Sequence, residues 1–198
     1  MTVTRINNNF INKLNRTQIN VEKIECPDIT GQTLWGLLVE EKLNISSGEA
    51  DIYRVKGVKR CVGKTLILKL YRRINAIKAD VVKKLKEIRS PYIASIIHYG
   101  LYSDHQYVVM PYYKYPTLAQ VLLSGEKFSE EELKNMIIPS VIEGLNAVHN
   151  AGILHKDLKP ANLIPDNSGE HILLIDFGIS TDIGNQSIVI TQTGMSPL

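Results

Sequence analysis

The apolar positions change period once along the chain, and that change divides it. From Thr33 to Met110 they recur mostly every second residue, the spacing of half-buried strands. Thr33 to Ile45 shows some alternation, Ser46-Ser47-Gly48 interrupts it, and Ala50 to Val58 resumes it through Ile52, Val55 and Val58. A basic turn from Gly57 to Gly63 leads into the apolar stretch Lys64 to Tyr71, so the pattern predicts a three-stranded meander. Asn75 to Ile88 takes the helical period instead. Ile77, Val81, Val82, Leu85 and Ile88 share one stripe, Lys78, Lys83, Lys84 and Lys86 form a solvated face, and Pro91 stops the helix. Ile93 to Tyr102 and Gln106 to Met110 predict another strand pair around Ser103-Asp104.

After Pro111 the pattern becomes helical. Thr117 to Leu123 is a short amphipathic helix. Ser129 and Glu132 have the spacing of a capping box, opening a long helix through Leu133, Met136, Ile137, Val141, Ile142, Leu145 and Val148. Pro139 removes one backbone donor inside it and predicts a kink, and Gly152 is placed to cap its end. Leu163-Ile164 and Ile172 to Ile175 are two further short strands, and Ser180 to Leu198 reads as loop. Strands first and helices second predict an α+β fold in two lobes. The division expected is a weakly structured, Asn-rich extension over 1–30, a β-rich lobe over 31–111 and a helical lobe over 112–198.

Composition narrows the classes. Of the 198 residues, 44% are hydrophobic and 22% charged, which is globular and not disordered. A net charge of +3 is too mild to make nucleic acid the main partner. The apolar runs are too short for a membrane span, and the polar N-terminus has no signal-peptide core, so no membrane partner and a cytoplasmic location are expected. Cys26 and Cys61 make no disulfide framework. His98, His105, His149 and His171 have no metal-ligand spacing with them.

The chemistry concentrates in His155-Lys156-Asp157-Leu158-Lys159-Pro160-Ala161-Asn162, with Asp176-Phe177-Gly178 following 19 residues after Asp157 and Lys69 on a strand upstream. In this order and spacing the set resembles that of the protein kinase superfamily, in particular its bacterial-type Ser/Thr kinases. The resemblance implies a two-lobe kinase fold with a complete β-rich N-lobe and a truncated helical C-lobe. It also implies transfer of the γ-phosphate of ATP to a Ser/Thr hydroxyl with ATP and Mg²⁺ as cofactors, a reaction that needs positioning and charge neutralisation more than covalent chemistry.

Carried over residue by residue, the resemblance makes Asp157 the base that accepts the substrate proton and has Lys159 reach the transferring phosphate. Asn162 and Asp176 are hard oxygen ligands for Mg²⁺, and Lys69 holds the α- and β-phosphates. Ser47 and Gly48 lie in the phosphate loop. Ile52, Ile67 and Ile164 sandwich the adenine, Met110 stands behind it, and Pro111 offers a carbonyl and Tyr113 an N–H along the hinge. His155 is expected to pack in a stack with Leu85, Ile96 and Phe177 rather than to react.

Four departures shape the expectations. The phosphate loop, Ile45 to Ile52, has one glycine and that out of register, with small residues in place of the others. The helix position that should supply a Glu to Lys69 is Val81, with Asp80 about 100° away around the helix. Lys156 replaces an Arg and is a poorer clamp for a phosphorylated Thr191 or Thr193. The A-P-E motif does not appear before Leu198, so the rest of the large lobe is expected to be missing, reduced or supplied by another chain. A Ser/Thr kinase acting on a protein or on itself therefore stands beside a nucleotide-binding pseudokinase or scaffold whose apolar underside takes a homo- or hetero-partner. A small-molecule kinase ranks below both, because Lys159-Pro160 and Phe177-Gly178 resemble the protein kinases.

Overall fold

The computed structural model describes residues 26–45, 49–73, 76–178 and 180–182. The alternating half of the sequence forms one antiparallel sheet of six strands: β1 (Thr33–Leu34), β2 (Leu37–Lys42), β3 (Ala50–Gly57), β4 (Thr65–Tyr71), β5 (His98–Tyr102) and β6 (His105–Pro111). Their order is β1-β2-β3-β4-β6-β5. The single strand expected from Thr33 to Ile45 is instead a hairpin, because Trp35 (φ 50°) and Gly36 (φ 76°) both adopt left-handed backbone and pair Leu34 with Leu37. A tryptophan rarely takes that conformation. Here its ring is held flat against His98, centroids 4.1 Å apart and 4° from parallel, with the Arg60 guanidinium 5.0 Å from its centroid.

Alternation sorts the sheet into two faces. On one, Leu37, Val39, Tyr53, Val55, Leu66, Leu68, Leu70 and Val109 form a closed core. Ile29, from the stretch assigned to the extension, is fully buried in that core. On the other face lie Ile52, Ile67, Lys69, Tyr71, Val108 and Met110, joined by the β3–β4 and β4–β6 registers Ile52↔Lys69, Ile67↔Met110 and Lys69↔Val108.

Helix α1 runs over Ala79–Glu87 and buries Val81, Val82 and Leu85. It is shorter than the stripe predicted because Lys78 and Ile88 both take extended backbone. Helix α2 spans Leu118–Leu123, closed by a capping box between Thr117 and Gln120. Ser129 and Glu132 form the expected capping box.

The long helix is continuous in backbone but changes its hydrogen-bond period near its start. After one turn at Glu130–Glu132, Leu133–Ile137 widens to a π turn in which Ile138 N–H reaches back to Leu133 O. Helix α3 then runs over Ile138–Asn150 with Pro139 as its second residue. The proline, which lacks a donor, thus follows directly on a widened turn, with Glu132, Leu133, Ile137 and Ile138 all in helical backbone. Gly152 (φ 74°) caps the end, donating to His149 O at 2.8 Å.

Two short pairings complete the fold around α3. β8 (Leu163–Pro165) pairs with β9 (Ile172–Leu174), and β7 (Ile153–Leu154) with β10 (Thr181–Asp182). Helix α3 lies so close to β9 that a Cβ on Gly144 would sit 2.0 Å from Leu174 Cδ1. A second core joins the halves: Val81, Leu85 and Ile93 pack with Ile137, Val148, Leu174 and Phe177. The backbone stitches them as well, since Leu174 N–H donates to Tyr92 O at 2.9 Å and Ala94 N–H to Leu174 O at 3.0 Å. Among the described residues no helix is long and apolar enough to cross a membrane.

Candidate active site

Three backbone devices bring the polar residues together. The first is β4, whose alternation turns Lys69 to the same side as Ile67 while Leu68 and Leu70 are fully buried on the other. Lys69 Nζ, with its side chain 11% exposed, lies 2.9 Å from Asp176 Oδ1. It also stands 5.0 Å from the centre of the Tyr71 ring.

The second device is the loop after β7. Its Lys156 (φ 65°) takes left-handed backbone, and so does Asp176 (φ 62°) after β9. Such residues cost on the order of 1–3 kcal/mol each and persist where the surroundings over-determine them. His155 supplies much of that constraint. It is 2% exposed. Its Nε2 lies 3.0 Å from Ile175 O, a pure acceptor, so Nε2 carries the proton; Nδ1 then accepts from Asp157 N–H at 3.3 Å. Burial pushes the His155 pKa down, against the opposing pull of the Ile175 bond and of the Asp157 and Asp176 charges. The neutral imidazole fastens Asp157 to the segment leading into Asp176. Its ring meets Phe177 at 4.6 Å between centroids. Leu85 and Phe177 share the joint core and Ile96 packs against it, so the predicted stack is assembled.

The third device is the single 3₁₀ turn Pro160–Asn162. It buries Asn162 and aims its Nδ2 at Asp157, donating to the backbone O at 2.9 Å and to Oδ2 at 2.8 Å. Lys159 Nζ meets the same Oδ2 at 2.7 Å. The Asp157 carboxylate thus has one oxygen fixed from two sides. Ile175 N–H donates to Asn162 O at 3.0 Å, tying this turn to the Asp176 segment.

A hard cation fits this donor set. Lys69 approaches Asp176 Oδ1 off the line of a hydrogen bond, so that buried oxygen has no hydrogen-bond donor among the described residues. The Lys69 ammonium balances its charge but makes no aligned hydrogen bond to it, which leaves a buried lone pair that a hard cation could use. Asp176 and the Asn162 side-chain oxygen are the ligands such a cation would take.

Of the apolar candidates, Ile52, Ile67 and Met110 share the sheet face of Lys69. Ile52, Ile67, Met110, Pro111, Tyr113 and Ile164 are all partly buried, neither core nor fully exposed. Tyr113 has its phenol pKa pushed up by burial. Ser47 and Gly48 lie outside the described residues, as do Thr191 and Thr193. Val81, at the helix position where an acid was sought, is fully buried in the joint core.

One contact was not legible from motifs. Asn167, in the β8–β9 turn, accepts from Lys114 N–H at 3.0 Å and donates to Tyr112 O at 2.9 Å. It grips the backbone groups that alternate with Pro111 O and Tyr113 N–H. Asp166-Asn167-Ser168-Gly169 is a turn signal in sequence, but nothing in it says which segment the turn will face. A second unforeseen contact is the ion pair Lys84 Nζ–Asp182 Oδ2 at 2.8 Å, which ties α1 to β10.

The pattern that describes the protein kinase domain matches residues 52–197. The chain belongs to the protein kinase domain family. A probable serine/threonine-protein kinase of Streptomyces coelicolor is 38% identical over 87 residues, which is 44% of this chain and 13% of that protein. The probable serine/threonine-protein kinase PknB of Corynebacterium glutamicum matches to the same extent: 38% over 87 residues, 44% of this chain and 13% of its own length. A serine/threonine-protein kinase of Myxococcus xanthus is 28% identical over 144 residues, 68% of this chain and 17% of its own. The matched region is thus a small part of each relative.

Proposed function

We propose that this chain binds ATP with Mg²⁺ and transfers the γ-phosphate to a Ser or Thr hydroxyl of a protein, itself included, in a cytoplasmic setting. The observation that carries this reading is the convergence of Lys69, Asp157, Asn162 and Asp176 from three separate segments onto one surface, with Asp176 Oδ1 buried and lacking a hydrogen-bond donor. The metal would supply charge neutralisation between phosphate oxygens. Residues 31–111 are read as the lobe that holds the nucleotide and 112–198 as the segment that carries the chemistry.

Each residue's part follows from its surroundings. Asn162 and Lys159 hold one oxygen of Asp157, leaving the carboxylate oriented to accept a proton from a hydroxyl. Lys159, half exposed, is long enough to leave Asp157 for a phosphate oxygen. Lys69 is a point charge for the inner phosphates. Ile52, Ile67 and Ile164 provide the partly buried apolar walls that an adenine ring requires, and Pro111 O and Tyr113 N–H face the ring edge.

The test is transfer from radiolabelled ATP to a generic protein and to the chain itself, compared with Asp157→Ala. Label in the wild type that falls at least a hundredfold in the variant supports the reading. Nucleotide binding without transfer on any protein acceptor supports the second reading, a nucleotide-binding scaffold. One observation favours that alternative: α1 offers the buried Val81 where an acid would steady Lys69.

A further inference from the structure

We propose that the β3–β4 turn, residues 57–64, is a docking tip for a bilayer surface that carries anionic lipid headgroups. The inference stands apart from the nucleotide reading and uses none of its residues.

Charge comes first. Residues 52–79 include nine basic residues and no acidic one. Four of the nine, Lys56, Lys59, Arg60 and Lys64, lie in the turn or beside it, and all four are exposed. None of the four forms an ion pair among the described residues. Arg54, two positions further into β3, is by contrast answered by Glu41.

Shape and apolarity come second. Val58 is 47% exposed and Val62 71%. A Cβ on Gly63 would meet nothing within 4 Å, so the tip stands clear of the described residues around it. The turn is held all the same. The N–H groups of Val58, Lys59 and Arg60 converge on Gly36 O at 3.1, 3.0 and 3.4 Å, and Lys64 N–H donates to Cys61 O at 3.1 Å. The Arg60 guanidinium lies over the Trp35 ring, 5.0 Å from its centroid. A tip fixed in this way loses little freedom on docking.

The occupant follows from both. A protruding turn does not enclose a ligand; it meets a surface. Lysines alone would suit any polyanion, but exposed valines among them call for an apolar layer directly beneath the anionic one. A bilayer has that order, with headgroup charges for the cations and the acyl boundary for Val58 and Val62. Residues 1–25 do not supply the counter-charge, since they carry Arg5, Lys13, Arg16 and Lys23 against Glu22 and Glu25. The exposed acids that open the helical lobe of a second copy are already engaged, Glu130 by Lys134 and Glu132 by the Ser129 cap. The expectation of no membrane partner rests on apolar runs too short for a span, and docking from one side needs no span.

The experiment sediments the full chain with vesicles of phosphatidylcholine, alone or mixed with phosphatidylserine, at low and at high salt. The expected result is binding to the mixed vesicles only, weakened as salt rises. The double variant Lys59→Gln, Lys64→Gln should bind about tenfold more weakly or worse. Val62→Trp should bind the same vesicles more tightly, since an exposed tryptophan favours the headgroup level. All three substituted positions are exposed, and an unchanged thermal melt checks that the fold is kept. No vesicle binding, or equal binding to both vesicle types, overturns the proposal. Binding that the double variant leaves unchanged also overturns it, by assigning the contact to another part of the chain. An indifferent Val62→Trp with equal binding to heparin or RNA makes the tip a plain polyanion site and overturns it too. Concentration-dependent self-association that the double variant abolishes, without vesicle binding, gives the tip to a second copy instead.

Discussion

Tyr53, Val55, Leu66, Leu68 and Leu70 on one face of β3 and β4 are 0–2% exposed, while Ile52, Ile67 and Lys69 between them on the opposite face stay partly open. The same two strands therefore serve two purposes, divided residue by residue. The closed face is a core in which every apolar group finds partners, so its side chains act on stability. The open face holds apolar walls and one lysine whose partners are charges from another segment. Those side chains contribute less to folding, and what they leave uncovered is available to a ligand.

That contrast can be broken by substitution at neighbouring positions. Leu68→Ala empties a fully buried site and should cost about 2–5 kcal/mol. It would be read as a lower urea midpoint at unchanged slope, with nucleotide affinity of the folded fraction kept. Ile67→Ala, one residue away, should cost about 1 kcal/mol or less because its side chain is only partly buried. It should instead weaken ATP binding about tenfold. Equal stability losses at the two positions would erase the distinction between the faces.

The core that joins the halves extends the comparison. Gly144→Ala drives a methyl against Leu174 Cδ1 and Tyr92 O, and about 1–3 kcal/mol of destabilisation is expected in thermal melts. Asn167→Ala removes two hydrogen bonds to the Tyr112–Lys114 segment from an exposed turn. About 1 kcal/mol of stability or less should be lost. The sharper signal should be a higher KM for ATP at unchanged kcat, since the hinge groups lose their alignment.

The smallest effect is in pH. Burial holds His155 below its ordinary pKa, so the unfolded chain takes up a proton that the native one refuses. The associated stability is complete above the unfolded value, near 6.5, and is lost as pH falls below it. Asp51 acts lower down. Burial alone would raise its pKa, but hydrogen bonds from Lys42 at 2.8 Å and Arg72 at 2.5 Å outweigh that and lower it. Its contribution is present above about pH 4 and lost below. Melting temperatures from pH 8 to pH 3 should therefore fall in two steps, and the upper one should vanish in a variant that replaces His155 with a neutral residue.

Much of this was legible in the residues. Alternation through Ala50–Val58 and the apolar stretch Lys64–Tyr71 predicted β3 and β4, because a strand's period is written in adjacent residues. The capping box at Ser129 and the glycine cap at 152 were legible because each is a local hydrogen-bond requirement met by adjacent residues. The hairpin at Trp35-Gly36 was not, since a tryptophan at positive φ depends on a stacking partner 63 positions away, His98. The π turn before α3 was half visible. Pro139 announced a missing donor, but that a widened turn precedes it depends on what packs around it.

By itself the sequence determined most of the order of elements, the inward face of the strands and of α1, and the set of polar residues proposed to carry the chemistry. Periodicity and motif spacing are local properties, written within a few turns of chain. Only the tertiary structure decided which charges face one another. Lys69 meets Asp176, Asn162 turns to Asp157 and Asn167 grips the Tyr112–Lys114 backbone. Apart from the Asn162 contact, these join segments tens of residues apart or more, and their distances follow from how two cores pack. A buried valine at 81 gained meaning only when the space around it was filled.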